Sequence, residues 1–549
     1  MDRIVHKKTC ENCGVEFDVT EQDLEFYKRI DVPEPVECNV CREIRRLTFR
    51  NEKKLYLSNC DLCGKQMVSI HHPGKPYHIY CRSCWWGGKW DPLAEGRDYD
   101  FNRPFFEQFE ELTHDAKLLS LFSKNNQNSD YINQETDDKN CYMNAGGHYN
   151  EDCYYNTYSI WGKNNVDNLW VIKSERLYEC IRCENCFNSS YIHECENCSD
   201  CHYCSDLKGC MNCFGCFGLR HKKYYFFNNP FSEEEYKEKV GKYLKTKEGR
   251  EKAHKESQTH FLKYPHKAVN LINCENCIGD DLLDCKNMIF GYMAEKMHDC
   301  KYAYIALQVK DSMDLTSVGW GEMNYNIASS GDCTNDIALT SAWNLYFSYY
   351  CFCCLNSYNL FGCCGMNRYQ YCILNKQYSK EEYEKMVPKI IEHMKRTGEW
   401  GEFFPISMSG FGYNETIAQD YYQITKEEAL KKGWKWKDPD NKEYQPQKYT
   451  VTQPIENVQD TIINEILACK SCAKNFKVLA QELNFYRKLS LPIPTKCYDC
   501  RHLERMNLRN PRHLWDRTCT KCGAKIHTSY SPERTEKVYS EKCYLETVV

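Results

Sequence analysis

Six cysteines near the start of the chain, Cys10, Cys13, Cys38, Cys41, Cys60 and Cys63, recur 459 positions later as Cys469, Cys472, Cys497, Cys500, Cys519 and Cys522. Between Cys10 and Cys63 the two stretches align without a gap and 19 of 54 positions are identical. Average residue usage gives roughly three by chance, so this is a duplicated module. Phe17/Phe476, Leu24/Leu483, Phe26-Tyr27/Phe485-Tyr486, Pro33/Pro492, Pro35/Pro494 and Arg42/Arg501 belong to the shared set. Whatever lies between is held or presented by two copies of one structure.

The cysteines arrive as Cys-x-x-Cys pairs, with Cys81/Cys84 a fourth pair in the first copy. A tetrahedral ion such as Zn2+ takes four thiolates, and each pair supplies two of them from one tight turn. Gly14 and Gly64 follow the second cysteine of their pairs, where a knuckle needs relaxed backbone sterics. With 38 cysteines and no apolar leader in MDRIVHKKTC, the expectation is a cytoplasmic, reduced, metal-binding protein rather than a disulfide scaffold. Between the first two knuckles, VTEQDLEFYKRI predicts a short helix with Thr20 as N-cap and Asp23 three residues on.

The run CENCGVEF…FYKRIDVPEPVECNVCREIRR resembles the zinc-ribbon (treble-clef-like) domain of uncharacterised bacterial proteins. The pattern is Cys-x-x-Cys-Gly-x-x-Phe, a Phe-Tyr helix, then Pro-x-x-Cys-x-x-Cys-Arg. It covers about residues 9–46 and 468–505. The resemblance implies zinc binding and no settled activity. The second copy departs from it at Ala473, where the family glycine would stand.

The C-terminal module differs at its last site. Aligning KPYHIYCRSC with KVYSEKCYLE sets Cys81 on Cys543 and Cys84 on Glu546, which leaves three thiolates, Cys519, Cys522 and Cys543. Glu546, His527 or no protein group at all are the alternatives for the fourth ligand. The expected content is three to four Zn2+ per chain.

The middle of the chain is of another kind. Asp/Asn-Cys steps recur at Asp152-Cys153, Asn185-Cys186, Asn197-Cys198, Asn212-Cys213, Asp284-Cys285, Asp299-Cys300 and Asp332-Cys333. Three cysteine triplets, 180/183/186, 195/198/201 and 210/213/216, sit 15 residues apart. Short fixed periods signal a stacked parallel fold, and the expectation is a β-solenoid whose 15-residue interval stacks cysteine on cysteine. Buried thiol ladders are preferred over a further metal site there. A larger repeat relates 214–240 to 361–387 at an offset of 147, each copy ending in a helix with a capping box, Ser232/Glu235 and Ser379/Glu382.

The fold class expected is mainly β, with zinc-ribbon modules at both ends flanking a cysteine-rich parallel β-solenoid with two capping helices. Its divisions are a double ribbon (1–90), an aromatic helical connector (91–129), two solenoid halves (130–260 and 261–400), an irregular strap (401–467) and a second double ribbon (468–549). In the connector, Phe105, Phe109 and Leu112 fit one helical face.

Arg42, Arg46 and Arg50 follow the second knuckle four apart, and Arg501, Arg505 and Arg509 repeat the row. One helical face of guanidinium groups suits phosphate contact, or else pairs with carboxylates inside the fold. The charge of −5 favours neither. There is no phosphate loop, nucleophile elbow or His-Glu-x-x-His motif, so no enzyme is expected. The functional expectation is a zinc-binding recognition protein contacting nucleic acid or a ribonucleoprotein through the arginine rows. The alternative is an assembly scaffold whose ribbons bind protein or self-associate. No apolar run approaches the ~20 residues of a membrane span.

Overall fold

A left-handed residue at every third position shapes the middle of the chain. In the computed structural model, described over residues 3–439, 443–451 and 454–548, Asn185, Asn188, Tyr191, Glu194, Asn197 and Asp200 all have φ between 47° and 54°. That region costs an L-residue about 1–2 kcal/mol and is least unfavourable for Asn and Asp. Each such residue bends the chain, and the next one turns inward: Cys186, Ser189, Ile192, Cys195, Cys198 and Cys201 are buried. Six of the seven Asp/Asn-Cys steps of the sequence are these bends, each followed by an inward thiol, as at Asp152-Cys153 and Asn212-Cys213; Asp332 is not left-handed, though Cys333 is buried.

Four three-residue steps make a rung of twelve residues. Successive rungs pair in parallel at that offset, Thr157 on Leu169 on Ile181 in the first half. In the second half the matching column runs Tyr304, Thr316, Ala328, Thr340, Phe352. The 15-residue interval is therefore not the stacking interval. It is one rung plus one step, so the rung above Cys180 and Ile181 carries Ile192 and His193, not Cys195. Both 12 and 15 are multiples of the three-residue step, and the cysteine triplets obey the step rather than the rung.

The inward groups satisfy one another along the stack. The Asn144 carboxamide oxygen accepts the Asn156 N–H at 2.9 Å, that of Asn156 accepts the Asn168 N–H at 3.0 Å, and that of Asn168 accepts the Cys180 N–H at 2.8 Å. Outward Asn and Asp residues bond side chain to side chain instead, Asn188 Nδ2 donating to Asp200 Oδ1 at 2.6 Å and Asn287 Nδ2 to Asp299 Oδ1 at 2.7 Å. The thiols of Cys180, Cys183 and Cys198 point to carbonyl oxygens two residues back at 3.2–3.4 Å, so they fill space and donate weakly.

Each half ends alike. A short antiparallel turn closes the last rung, Tyr225 with Pro230 and Cys372 with Gln377. The helices Glu233–Leu244 and Lys380–Thr397 follow, both opened by the expected capping boxes. They bury Tyr236 and Val240, or Tyr383, Val387 and Ile390, beside the closing rung.

Two compact units result, and each is discontinuous in sequence: Met1–Phe122 with Val269–Lys437, and Ser123–Ala268 with Asp438–Val549. The N-terminal module thus packs on the second half of the stack and the C-terminal module on the first. The strap expected over 401–467 is divided between them, and residues 440–442 and 452–453 of it lie outside the described residues. In the first unit the helix Phe105–Asp115 buries Phe105, Phe109 and Leu112 on one face. More residues lie in strands than in helices, and no described helix is long and apolar enough to cross a membrane.

Candidate metal centres and the arginine clasp

Each knuckle is a hairpin turn facing the start of a helix. The Gly14 N–H donates to the Cys10 carbonyl at 2.9 Å and the Gly64 N–H to that of Cys60 at 2.8 Å. Both glycines are left-handed, at φ 73° and 72°. Ala473 takes the same turn in the second copy at φ 60°, with the same bond to Cys469. The opposing pair begins a helix: Cys38 caps Asn39–Leu47, Cys81 caps Arg82–Trp86 and Cys497 caps Tyr498–Asn507. Helix N-termini favour thiolate, but burial opposes it, pushing Cys497 up to about 11 and Cys81 upward as well. Cys38 is drawn down to about 5, first by its contact with the Cys41 thiol. At Cys469 burial pushes upward but is outweighed by the N–H groups of Cys497, Cys472 and Ser471, giving about 6.

Among the described residues four cysteine groups bring their sulfurs within 4.8 Å of one another: 10/13/38/41, 60/63/81/84, 469/472/497/500 and 519/522/543. No cysteine of the stack belongs to such a group. Sulfur separations of 3.8 Å (Cys13–Cys38), 3.9 Å (Cys63–Cys81) and 3.6 Å (Cys472–Cys497) match the edge of a tetrahedron with metal–sulfur bonds of about 2.3 Å, roughly 3.8 Å.

The fourth group corrects the sequence alignment. The Ser540 N–H donates to Cys519 Sγ at 3.3 Å, just as the Cys81 N–H donates to Cys60 Sγ at 3.3 Å. Ser540 caps the helix Glu541–Leu545 as Cys81 caps its own. The offset of 459 therefore runs on unbroken: Ser540 stands in the place of Cys81, and Cys543 in that of Cys84. Matching cysteine to cysteine had slipped the register by three residues. Neither sequence candidate joins the group, since Glu546 pairs with Lys521 at 3.0 Å and His527 with Asp516 at 2.8 Å.

The arginine rows turn inward. Arg42 Nε donates to Asp314 Oδ2 at 2.9 Å and its Nη1 to the Glu37 carbonyl at 2.6 Å. Arg46 Nη1 donates to Asp314 Oδ1 at 3.1 Å and to Asn326 Oδ1 at 3.0 Å. In the other unit Arg501 and Arg505 reach the two oxygens of Asp167 at 2.9 and 3.1 Å, and Arg505 Nη1 donates to Glu179 Oε2 at 2.9 Å. Arg42 lies over the ring of Tyr302 at 5.4 Å and Arg501 over that of Tyr155 at 5.0 Å. Arg50 pairs with Glu52 and is buried; Arg509 is half-buried. Burial works against the charge on Arg42, yet Asp314 beside it holds it more firmly protonated than usual. Five of the six side chains are thus closed off, and the phosphate-contacting face expected of these rows is not presented.

Sequence reasoning missed the acceptors, although a signal was there. Asp167 and Asp314, Tyr155 and Tyr302, Tyr178 and Tyr325, and Glu179 and Asn326 are all 147 apart, the offset already seen between the capping helices. Ring contacts repeat with them: Tyr27 meets Tyr325 edge-on at 5.8 Å and Tyr486 meets Tyr178 edge-on at 5.9 Å.

No protein-family model matches this chain, and no curated protein is similar to it. The four cysteine groups agree with the zinc-ribbon resemblance, and it is on them that the resemblance rests.

Proposed function

We propose that this chain is a non-enzymatic scaffold in which zinc-held ribbons clasp a parallel β-solenoid and the clasped body offers docking surface to protein. The observation that carries this reading is the inward clasp, made in both units by matching arginines on matching aspartates. A pair of buried guanidinium groups on one buried carboxylate positions a module against its platform and offers nothing to an outside phosphate. Zinc is favoured because closed four-thiolate tetrahedra are its usual structural site. The 38 unpaired thiols suit a reducing compartment, and we place the protein in the cytoplasm.

The test is affinity capture with the full chain before and after nuclease digestion, across a salt titration. A scaffold retains protein partners after digestion and shows a shallow salt dependence. Recovery of nucleic acid that falls steeply with salt would overturn the reading, because phosphate contacts release counterions.

A further inference from the structure

The two units treat one groove differently. In the first, the segment after the capping helix crosses between ribbon and stack as an aromatic strap, burying Trp400, Phe403, Phe404, Met408 and Phe411. The strap backbone is gripped at set points. The Tyr350 hydroxyl accepts the Gly401 N–H at 2.8 Å, and Asn326 Nδ2 donates to the Gly401 carbonyl at 3.0 Å. Arg45 binds Glu402 at 3.0 Å and the Phe403 carbonyl at 3.3 Å, and the Val36 N–H donates to Glu402 at 3.3 Å. Phe49 packs edge-on against Phe403 at 5.5 Å, and the Thr48 carbonyl accepts the Ser409 hydroxyl at 2.7 Å. A cavity of only about 10 Å³ remains there.

Offsets of 147 and 459 carry these gripping residues to Tyr203, Glu179, Glu504, Thr495, Leu508 and Asn507 of the second unit. All six line an open cleft of about 620 Å³. The segment in the strap's place is the helix Lys247–Phe261, which turns Arg250, His254 and Gln258 to the cleft and does not fill it. A volume of this size lies within the range of about 300–1,000 Å³ typical of ligand sites.

We propose that this cleft receives an extended peptide from a partner protein, running as Trp400–Ser409 runs in the first unit. Its recognition chemistry follows from the substitutions. Tyr203 has the hydroxyl that in the first unit fixes a backbone N–H, here beside Arg250, and Leu508 keeps an apolar seat for an aromatic side chain. Charge is reversed at one point: where Arg45 holds Glu402, the second unit has Glu504, half-exposed and paired with Lys496 of the cleft wall, whose place a basic side chain of the partner would take. The partner segment therefore carries paired aromatics with a lysine or arginine in the position of Glu402. This deepens the scaffold reading by naming a docking site, and rests on it.

The probe is a fluorescent peptide of the chain's own residues 399–411, EWGEFFPISMSGF, together with its Glu402→Lys form, titrated by anisotropy into the full-length protein. The Glu402→Lys peptide is expected to bind at least several-fold more tightly than the native sequence. Glu504→Lys in the protein should reverse that preference, and Tyr203→Phe should weaken both peptides with the clasp intact. Binding of neither peptide at millimolar concentration, or binding indifferent to both substitutions, would overturn the proposal. Self-association abolished by Tyr203→Phe would overturn it too, by assigning the cleft to a second copy. None of these outcomes bears on nuclease-resistant capture, so failure here and failure of the scaffold reading are separable.

Discussion

Arg46 reaches Asp314 at 3.1 Å across 268 residues of sequence, with neither side chain accessible to solvent. Buried pairs of this kind contribute little when exchanged whole for apolar groups, but losing one member strands the other charge.

Asp314→Ala, which strands both Arg42 and Arg46, should lower the stability of the first unit by about 3–5 kcal/mol, and Arg46→Ala, which leaves Asp314 its bond to Arg42, by less. The matching step of the second unit in a calorimetric melt should stay where it is. The double substitution should cost less than the sum of the two. A loss below about 1 kcal/mol in either single variant would show that the clasp is not structural.

Asp336 is fully buried, accepts the Ser348 N–H at 2.7 Å and the Thr334 N–H at 3.1 Å, and is pushed up by burial to about 8. The folded chain thus holds a proton that the unfolded chain has lost above about pH 4. Stability therefore falls as pH rises from about 4 to 8 and is level above that. Asp336→Asn should flatten this limb, since an amide does not titrate, and at low pH should cost the one bond that its NH2 cannot accept from Ser348 or Thr334. Urea titrations of both proteins at several pH values measure it, and parallel curves would refute it.

At the C-terminal ribbon, Ser540→Cys should complete a four-thiolate site. Metal analysis of the natural chain should give three tightly held zinc ions and a fourth, held by Cys519, Cys522 and Cys543, that a chelator removes first. The variant should resist the chelator at all four sites. Equal release from both proteins would contradict the assignment of Ser540 to the place of Cys81.

The left-handed Ala473 turn offers a stabilising change. Ala473→Gly should raise the stability of the C-terminal ribbon by about 1 kcal/mol, since its counterparts Gly14, Gly64 and Gly523 share this geometry without a Cβ. Destabilisation would mean that the Ala473 methyl makes a compensating contact.

Much of this was legible in the residues, where the interaction is local. The knuckles, the capping boxes at Thr20, Ser232 and Ser379, and the buried face of Phe105, Phe109 and Leu112 each depend on neighbours within a few positions. The rung length was not legible, because a three-residue step fits intervals of 12 and 15 equally and only pairing between strands selects one. The Ser540 site was hidden by the pull of cysteine on cysteine in the alignment. The direction of the arginine rows depended on Asp314 and Asp167, whose distance in sequence conceals them until the halves are superposed by their offset of 147.

The exchange of modules between halves has a consequence during synthesis. Asp167 leaves the ribosome before Asp314, while the ribbon that belongs on Asp167 is not yet made. At about 5–20 residues per second, Arg46 waits roughly 15–50 s for its own acceptor with a near-copy of it already exposed. Correct assembly then turns on the many points where the two platforms differ, and Lys301, which binds Asp23 at 2.9 Å where the other half carries Tyr154, is one of them. Erasing that difference would strand the buried Asp23 in the finished molecule and, before that, divert nascent chains into a clasp closed on the wrong half.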